Sequence, residues 1–239
     1  MIARFYSPEV LPHDGEVEFA PAAAHHALRV LRLGAGDEVA LFDGSGGELR
    51  ARLDVRGKRA FAVDGRWMEA NRESPLAVVL VQALASADKM DWTIQKAVEL
   101  GAVGVVPVRS ERAQLRLAGE RGDKKLEHWR QVVVAACEQC GRNRLPFIAP
   151  VRDLAAYLGE REAATRLILA PGGERLGALA EIAAPVHLLV GPEGGWSEDE
   201  LALCRRAGCR VVGLGPRILR TETAGLAALA ALQARAGDF

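Results

Sequence analysis

Residues 188–197 read Leu188-Leu189-Val190-Gly191-Pro192-Glu193-Gly194-Gly195-Trp196-Ser197, an apolar run that breaks into glycine and proline. A second stretch has the same plan: Leu214-Gly215-Pro216-Arg217-Ile218-Leu219-Arg220-Thr221-Glu222-Thr223-Ala224. Each starts like a strand and recovers into a helical pattern. Glycine lets a backbone approach a ligand closely, and proline fixes φ and removes a donor. Two such loops at successive strand ends predict one ligand site made mostly of main chain.

The bulk composition narrows the class of protein. The chain has 239 residues, of which 49% are apolar, enough for one large or two modest domains. No apolar run reaches the roughly 20 residues of a membrane-spanning helix, and the first residues lack the layout of a signal peptide. We therefore expect a soluble, cytoplasmic protein with no membrane partner. The formal net charge is zero, so a nucleic-acid partner would have to be recognised through local basic patches.

The cysteines suggest packing more than metal binding. The spacing Cys137-x-x-Cys140 fits half of a zinc site or a redox pair. The second pair, Cys204 and Cys209, has the wrong spacing for a zinc ribbon, and no histidine lies near either pair. Cys137 and Cys140 continue the apolar helical face that includes Trp129. We expect buried structural thiols and no metal site.

Residues 1–70 have a β-rich pattern. From Leu49 to Arg56, apolar and mostly cationic side chains alternate with a period of two, which indicates a half-buried strand. A short helix is predicted over Ala22–Leu33, ending at Gly34. The pattern predicts a small β-barrel that carries one helix. A polar segment ending in Pro75 predicts a linker over 71–75.

The arginines of this segment allow two interpretations, a solvated face or contacts with phosphates. The residues alone leave both open. They are Arg4, Arg29, Arg32, Arg50 and Arg52.

From Leu76 onward, strand and helix patterns alternate. Such alternation predicts an α/β domain over 76–239 with a mostly parallel sheet. The predicted strands are Val78–Val81, Val103–Val108, Leu167–Ala170, Val186–Val190 and Cys209–Leu214. The predicted helices are Asp88–Leu100, Asp123–Cys140, Val151–Leu158, Arg175–Ile182, a helix opened by a capping box at Ser197, and Glu222–Ala236.

Three Gly/Pro loops follow strands of this sheet, and the carboxyl ends of parallel strands are where ligands bind. The loops are Ala170–Gly173, Gly191–Gly195 and Leu214–Thr221. None contains the Gly-x-x-x-x-Gly-Lys-Ser/Thr pattern of a phosphate loop, and Gly213-Leu214-Gly215 lacks the third glycine of a dinucleotide fingerprint. Taken singly, each loop is also compatible with a simple tight turn.

Together the two quoted stretches resemble the knotted SPOUT methyltransferases, and more narrowly the RsmE family, which methylates uracil N3 in 16S ribosomal RNA. The resemblance covers nearly the whole chain. Cys140 stands where the family is expected to have serine, a near-isosteric change. Other matching blocks are Arg4-Phe5, His25–Arg32, Gly36-Asp37, Lys89-Met90-Asp91, Gln95–Gly101, Ser110-Glu111-Arg112 and Glu138–Asn143.

The resemblance implies a fold and a set of partners. It implies a PUA-like RNA-binding domain over 1–70 and a SPOUT domain over 76–239 with a C-terminal trefoil knot. It also implies a homodimer packed through the knot helices, small-subunit 16S rRNA as substrate and S-adenosyl-L-methionine as cofactor. The implied cofactor residues are Ala170, Pro171, Gly172, Leu189, Val190, Gly191, Glu193, Gly194, Leu214, Gly215, Ile218, Leu219, Thr223 and Ala224.

Two roles remain open for Glu193. It accepts a hydrogen bond from the cofactor, through a ribose hydroxyl or the amino group, or it caps the helix that starts at Ser197.

The proton on uracil N3 calls for a base or for stabilisation of the resulting anion. Arg220 is the candidate for stabilising the anion and Glu222 for taking the proton. Arg142 and Asn143 are further catalytic candidates, reaching the base from either subunit. Phosphate anchoring is an equal alternative for Arg220 and Arg142.

RNA contacts are expected from Arg4, Arg29, Arg32 and Arg112. The last of these belongs to a basic stretch that comprises Arg109, Arg112, Arg116, Arg121, Lys124 and Lys125. Two other functions stay open: a knotted methyltransferase acting on a ribose 2′-hydroxyl, and an RNA-binding module without catalysis.

Overall fold

A computed structural model describes residues 2–113, 115, 117, 119–160, 163–179 and 182–239. The chain divides into two compact units. Unit 1 comprises Met1–Glu73 and Val134–Leu145, and unit 2 comprises Ser74–Val133 and Pro146–Phe239. The break at Glu73 falls inside the predicted linker over 71–75. The assignment of 134–145 to unit 1 is not indicated by any pattern in the sequence.

Unit 1 is built on a five-stranded sheet with the order β1-β3-β4-β5-β2, antiparallel except for the β1–β3 pair. Its core contains Phe5, Phe19, Leu41 and Leu49, so the alternating apolar residues of β4 do face inward. The elements are β1 (Ala3–Tyr6), β2 (Asp14–Glu18), α1 (Pro21–His25), a π-helical segment (His26–Val30), β3 (Glu38–Phe42), β4 (Gly47–Arg56) and β5 (Arg59–Glu69). The single helix predicted over Ala22–Leu33 is therefore two short helical pieces.

Unit 2 is built on a seven-stranded sheet with the order β12-β10-β11-β6-β7-β8, in which β9 also pairs with β7. Every strand pair described for this sheet is parallel, which confirms the predicted α/β class. Its strands are β6 (Val78–Ala83), β7 (Gly104–Arg109), β8 (Phe147–Ile148), β9 (Arg152–Asp153), β10 (Thr165–Arg175), β11 (Val186–Val190) and β12 (Arg210–Gly213). Its helices are α2 (Ala87–Glu99), α3 (Gly119–Cys140, which ends in unit 1), α4 (Leu154–Leu158), a 3-10 turn (Leu176–Ala178), α5 (Glu198–Arg206) and α6 (Thr221–Ala236).

The largest difference from the predicted elements is in β10. The sequence pattern predicts a strand ending at Ala170 and a helix over Arg175–Ile182. Instead the chain bulges after Leu169 and pairs again with β12, Glu174 opposite Val212. Pairing with a distant strand outweighs the local helical pattern, and only the 3-10 turn forms. Residues 180 and 181 of the predicted helix lie outside the described residues.

Two further expectations concern cysteine and the knot. Cys137 is fully buried in unit 1, and burial raises the pKa of its thiol to about 12, as expected for a structural thiol. Strand order and register do not by themselves reveal how the chain is threaded, so the trefoil knot stays a prediction. Among the described helices, none combines the length and the apolar character needed to cross a membrane.

Candidate functional site

The three Gly/Pro loops meet at one edge of the unit 2 sheet. The first forms the bulge within β10, and the other two follow β11 and β12; these three strands are neighbours in the order β12-β10-β11. Together they enclose a cavity of about 690 Å³. It is lined by Lys89, Arg112, Leu169, Ala170, Pro171, Gly172, Val190, Gly191, Pro192, Glu193, Gly194, Gly195, Trp196, Glu198, Leu201, Val212, Gly213, Leu214, Gly215, Pro216, Arg217, Ile218, Leu219, Arg220, Thr221 and Ala224. A glycine-rich wall of this kind presents main-chain donors and acceptors to a ligand.

The bulge of β10 forms one wall, and glycine makes it possible. A Cβ atom added to Gly173 would lie 2.7 Å from the carbonyl carbon of Val212, so only glycine allows this approach of the two strands. Gly172 has φ +75°, in the left-handed region that side chains rarely adopt. The sequence pattern at 171–173 thus reflects a close strand–strand contact as well as a turn.

Most of the predicted cofactor residues line this cavity, and the exceptions are Leu189 and Thr223. Leu189 is fully buried in the unit 2 core. Its neighbour Val190, at the end of β11, reaches the cavity instead. Thr223 is exposed on α6. Which of two adjacent residues faces the cavity depends on how side chains alternate along the strand and around the helix, and the loop motif alone does not specify this.

Glu193 does not cap the helix that starts at Ser197. That helix has its own capping box, because the Ser197 hydroxyl accepts from the N–H of Glu200 at 3.2 Å and the Ser197 N–H donates to the Glu200 carboxylate at 2.9 Å. Glu193 Oε1 instead accepts from the N–H of Ser86, the N-cap of α2, at 3.1 Å. Glu193 therefore fastens its loop to the start of α2.

Lys89, in the first turn of α2, is a cavity residue that the motifs of the sequence did not assign. Its ammonium lies 3.2 Å from Glu193 Oε1 and 3.7 Å from Glu222 Oε2. Burial raises the pKa of the Glu193 carboxyl, but the hydrogen bonds from the Ser86 N–H and Lys89 outweigh it, so the pKa is lowered. The block Lys89-Met90-Asp91, which resembles the family, is the sequence feature that could have identified Lys89 as a site residue. Glu222 itself does not line the cavity, but this ion pair brings it to the cavity edge.

Arg220 is exposed on the cavity wall at the N-cap position of α6. Within the described part of the chain its guanidinium has no hydrogen bond or ion pair, so it is free to meet a ligand. The next residue, Thr221, is buried and holds the helix start in place. Its hydroxyl accepts from Gln82 Nε2 at 3.0 Å and donates to the carbonyl of Gly191.

Arg112, predicted to contact RNA, also lines the cavity. Its Nη1 donates to the carbonyl of Gly194 at 3.1 Å and to that of Trp196 at 3.3 Å. One edge of the guanidinium therefore braces the loop after β11, and the side chain stays exposed. Arg116, of the same basic stretch, lies outside the described residues.

Arg142 and Asn143, the further catalytic candidates, do not line the cavity of their own chain. Both are buried in unit 1, where Arg142 Nε donates to Glu73 at 3.0 Å and Asn143 Nδ2 donates to the carbonyl of Ala70 at 2.9 Å. Arg4 is buried beside them and pairs with Glu48 and with Asn143 Oδ1. These internal partners hold most of the polar groups of the three side chains, while Arg4 Nε is buried without a hydrogen-bond partner among the described residues. The catalytic role of Arg142 and Asn143, from either subunit, and the RNA contact of Arg4 stay predictions.

Arg29 and Arg32 are exposed, as phosphate contacts require. Arg29 lies in the π-helical segment, and Arg32 has φ +56°, which is uncommon for a residue other than glycine. Irregular helical turns and left-handed residues concentrate at functional sites. The two residues therefore keep their place as candidates for RNA contact.

A parallel α/β sheet with a main-chain cavity at its strand ends defines a ligand-binding α/β domain, and comparison with known proteins gives its class. Residues 72–233 match the family model "RNA methyltransferase domain", and residues 20–64 match "RNA methyltransferase PUA domain". Ribosomal RNA small subunit methyltransferase E of Bacillus subtilis is 32% identical over 87% of this chain and 86% of its own length. The protein of that name from Buchnera aphidicola is 32% identical over 100% and 98%. The chain belongs to the RsmE family of RNA methyltransferases.

Solved structures agree with this assignment. A ribosomal RNA small subunit methyltransferase E from Neisseria gonorrhoeae, bound to S-adenosyl methionine, is 42% identical with a TM-score of 0.95, and each chain is covered completely. A methyltransferase from Legionella pneumophila, in complex with the same cofactor, is 36% identical with a TM-score of 0.93, again over 100% of both chains. The fold of the chain is that of these two enzymes.

Proposed function

We propose that this protein transfers a methyl group from S-adenosyl-L-methionine to N3 of a uracil in the 16S rRNA of the small ribosomal subunit. Family membership and the small-subunit activity named for its relatives support rRNA methylation. The choice of uracil N3 comes from the resemblance to the RsmE family. The observation that carries the proposal is the cavity of about 690 Å³ with Arg220 on its wall and the Lys89–Glu222 pair at its edge.

The residues present fit this cofactor. Main chain from the bulge of β10 and from the loops after β11 and β12 offers hydrogen bonds for adenine and ribose, while Leu214, Ile218 and Leu219 offer apolar surface for a ring. Ile218 is 79% exposed on the cavity wall, so its side chain is accessible to a ligand. When bound, the cofactor supplies a methyl group on a positively charged sulfur. The chain supplies orientation, for which a preorganised site contributes on the order of 7–11 kcal/mol.

Arg220 and Glu222 are our proposed catalytic residues for the acceptor base. Arg220 has its guanidinium unpaired among the described residues, so it can stabilise negative charge on the uracil oxygens. Glu222 stands two residues further on, where it can accept the N3 proton. Both lie at the N-terminus of α6, whose dipole also favours negative charge.

We predict that Gly173→Ala weakens cofactor binding about tenfold, because a Cβ atom 2.7 Å from Val212 backbone forces the β10 bulge to move. Titration calorimetry with S-adenosyl-L-methionine measures the change. The matched control is Gly177→Ala, in the following 3-10 turn, where an added Cβ meets nothing within 4 Å. Equal affinities for the two variants would contradict a cofactor site built on this bulge.

We propose that residues 1–70 form a PUA-like RNA-binding domain that holds the substrate through Arg29 and Arg32. The double variant Arg29→Ala, Arg32→Ala should weaken binding to 16S rRNA fragments and lower the slope of log affinity against log salt by about 0.7 for each phosphate that is no longer neutralised. Filter binding at several salt concentrations measures both. Arg56→Ala is the control, since Arg56 is engaged by Glu16 and Asp54. An unchanged slope would show that these two arginines do not contact RNA phosphates.

The deciding experiment is transfer of a labelled methyl group to small ribosomal subunits and to naked 16S rRNA in parallel. Primer extension then locates the product, because an N3-methyl group blocks base pairing and stops the polymerase. We expect one strong stop at a uridine. Label without a stop would favour a ribose 2′-hydroxyl as target, and absence of cofactor binding would favour a non-catalytic RNA-binding module.

We also propose a cytoplasmic homodimer in which residues 76–239 form the knotted SPOUT domain and the knot helices pack together. The relatives are bacterial ribosomal RNA methyltransferases. Bacterial ribosomes are assembled in the cytoplasm, which supports a cytoplasmic location for the reaction. Small side chains at Ala227, Ala231 and Ala234 follow one face of α6 and would permit close helix packing. Light scattering of the intact chain tests the dimer, and a monomeric mass would refute it.

A further inference from the structure

Three charged groups from three separate elements lie side by side at the cavity edge. Lys89 comes from the first turn of α2, Glu193 from the loop after β11 and Glu222 from the first turn of α6. The Lys89 ammonium bridges the two carboxylates at 3.2 and 3.7 Å. All three side chains are between one fifth and one quarter exposed, at 20–25%, so the pairs are partly shielded from solvent. Sequence motifs do not connect these residues.

The position of Lys89 is unfavourable for the helix that carries it. The N-terminus of a helix has a partial positive charge, so a lysine in the first turn is repelled. Glu193 offsets this cost, since it accepts from both the Ser86 N–H and the Lys89 ammonium. Lys89 thus keeps a positive charge at the positive end of the helix dipole, on the cavity wall. Because this placement does not stabilise the helix, it indicates another function.

The two carboxylates are used differently. Glu193 Oε1 takes two hydrogen bonds and is an anchor. Glu222 has no hydrogen bond from any described residue. Its Oε2 is shielded from water without a hydrogen-bond partner and faces Lys89 beyond hydrogen-bond distance. A shielded polar atom left without a partner in a folded protein calls for an explanation, and a catalytic role is one of the recognised ones.

We propose that Lys89 is a positioning residue for the methyl transfer, holding the Glu222 carboxylate in place to receive the N3 proton. The inference rests on the proposed function. As the proton passes from N3 to the carboxylate, the electron pair left on N3 forms the bond to the methyl carbon. The sulfur keeps the pair of the bond that breaks. Glu222 is left neutral and returns its proton to solvent.

Among the described residues, Lys89 of α2 is the cation paired with Glu222, and Glu193 in the loop after β11 pairs with the same ammonium. Arg220, two residues before Glu222, and Arg112, from the segment after β7, line the neighbouring cavity. Because Lys89 is the group in contact with Glu222, its removal should act on that carboxylate directly.

The test compares Lys89→Gln, Lys89→Arg and a matched control, Lys96→Gln. Lys96 lies two turns further along α2, pairs with Glu99 at 2.7 Å and is 28% exposed, similar to Lys89. Single-turnover methyl transfer to the RNA substrate is measured from pH 5.5 to 9 at saturating cofactor. Calorimetry with S-adenosyl-L-methionine and circular dichroism confirm that each variant is folded.

We expect Lys89→Gln to transfer the methyl group 10- to 100-fold more slowly than the wild type, on the scale of general-base effects, with an unchanged affinity for the cofactor. Lys89→Arg, which keeps the charge, should restore most of the rate, and Lys96→Gln should match the wild type.

Two results would overturn the inference. One is a transfer rate of Lys89→Gln that equals that of Lys96→Gln. The other is a loss confined to cofactor affinity, which would make Lys89 a cofactor-binding residue. Wild-type protein that gives no N3-methyluridine would instead refute the proposed function, so the two failures are distinguishable.

Discussion

Arg220→Ala should lower the rate of methyl transfer by about 10²–10³-fold, the usual loss when one donor to a developing oxyanion is removed, equivalent to about 2.7–4 kcal/mol. The reason is that Arg220 lies on the cavity wall with no internal partner among the described residues, so its charge is available to the uracil anion. Affinity for the cofactor should change less than about threefold, since main chain forms most of that site. Single-turnover rates and calorimetry separate the two quantities.

Two companion variants make the result interpretable. Arg220→Lys should recover only part of the rate, because lysine keeps the charge but lacks the planar fork of arginine. Arg206→Ala removes an exposed arginine from α5, which carries no proposed role, and should leave the rate unchanged. An Arg220→Ala protein with wild-type turnover and weakened cofactor binding would exclude the catalytic role.

Glu48→Gln should destabilise unit 1 by about 3–5 kcal/mol, the cost of leaving a buried cation, Arg4, without its partner. Glu48 is 1% exposed and pairs with Arg4 and Arg50. Arg4 is itself 8% exposed, so water cannot replace the lost carboxylate. Urea unfolding measures the change, and hydrogen exchange of the β4 amides assigns it to unit 1. Glu16→Gln, at an exposed pair with Arg56, should leave the midpoint unchanged.

The same residue predicts a pH dependence. Burial raises the pKa of the Glu48 carboxyl, but hydrogen bonds and charge from Arg4 and Arg50 outweigh it and hold the pKa below the ordinary value of 4.5. A depressed pKa contributes stability that is present above that ordinary value and is lost as the pH falls through the folded-state pKa. Wild-type protein should therefore lose stability below about pH 4.5 more steeply than Glu48→Gln. Parallel curves would exclude Glu48 as the source.

The sequence predicted much of unit 2 because its signals are local. Apolar runs such as Val186–Val190 and the capping box from Ser197 to Glu200 form as expected. The Gly/Pro loops predicted a main-chain site, and all three do line one cavity. Leu189 and Thr223, also predicted for the cofactor, do not line the cavity, because a motif without a structural register does not specify which of two adjacent side chains faces it.

The sequence did not indicate the partners of charged residues, and Arg4, Arg142 and Lys89 show why. An arginine has the same local pattern whether it faces RNA or a buried carboxylate, and Arg4 meets Glu48 only because strands bring them together. Arg142 is buried with Glu73 after the chain returns to unit 1. Lys89 pairs with Glu193, which lies more than a hundred residues away in the sequence. Ion pairs of this range are set by the fold, so no local pattern reports them.

The sequence by itself determined the α/β class of unit 2, the β-rich N-terminal segment, and the loops from Gly191 and Leu214 as a ligand site. These follow from apolar periodicity and from the backbone freedom of glycine, which act over a few residues. Only the tertiary structure decided that β10 bulges and pairs again with β12, and that 134–145 joins unit 1. It also decided that Glu193 anchors α2 while Glu222 is left with unused lone pairs. Each of these depends on contacts between distant segments, whose free energy outweighs local preference only once the chain has folded.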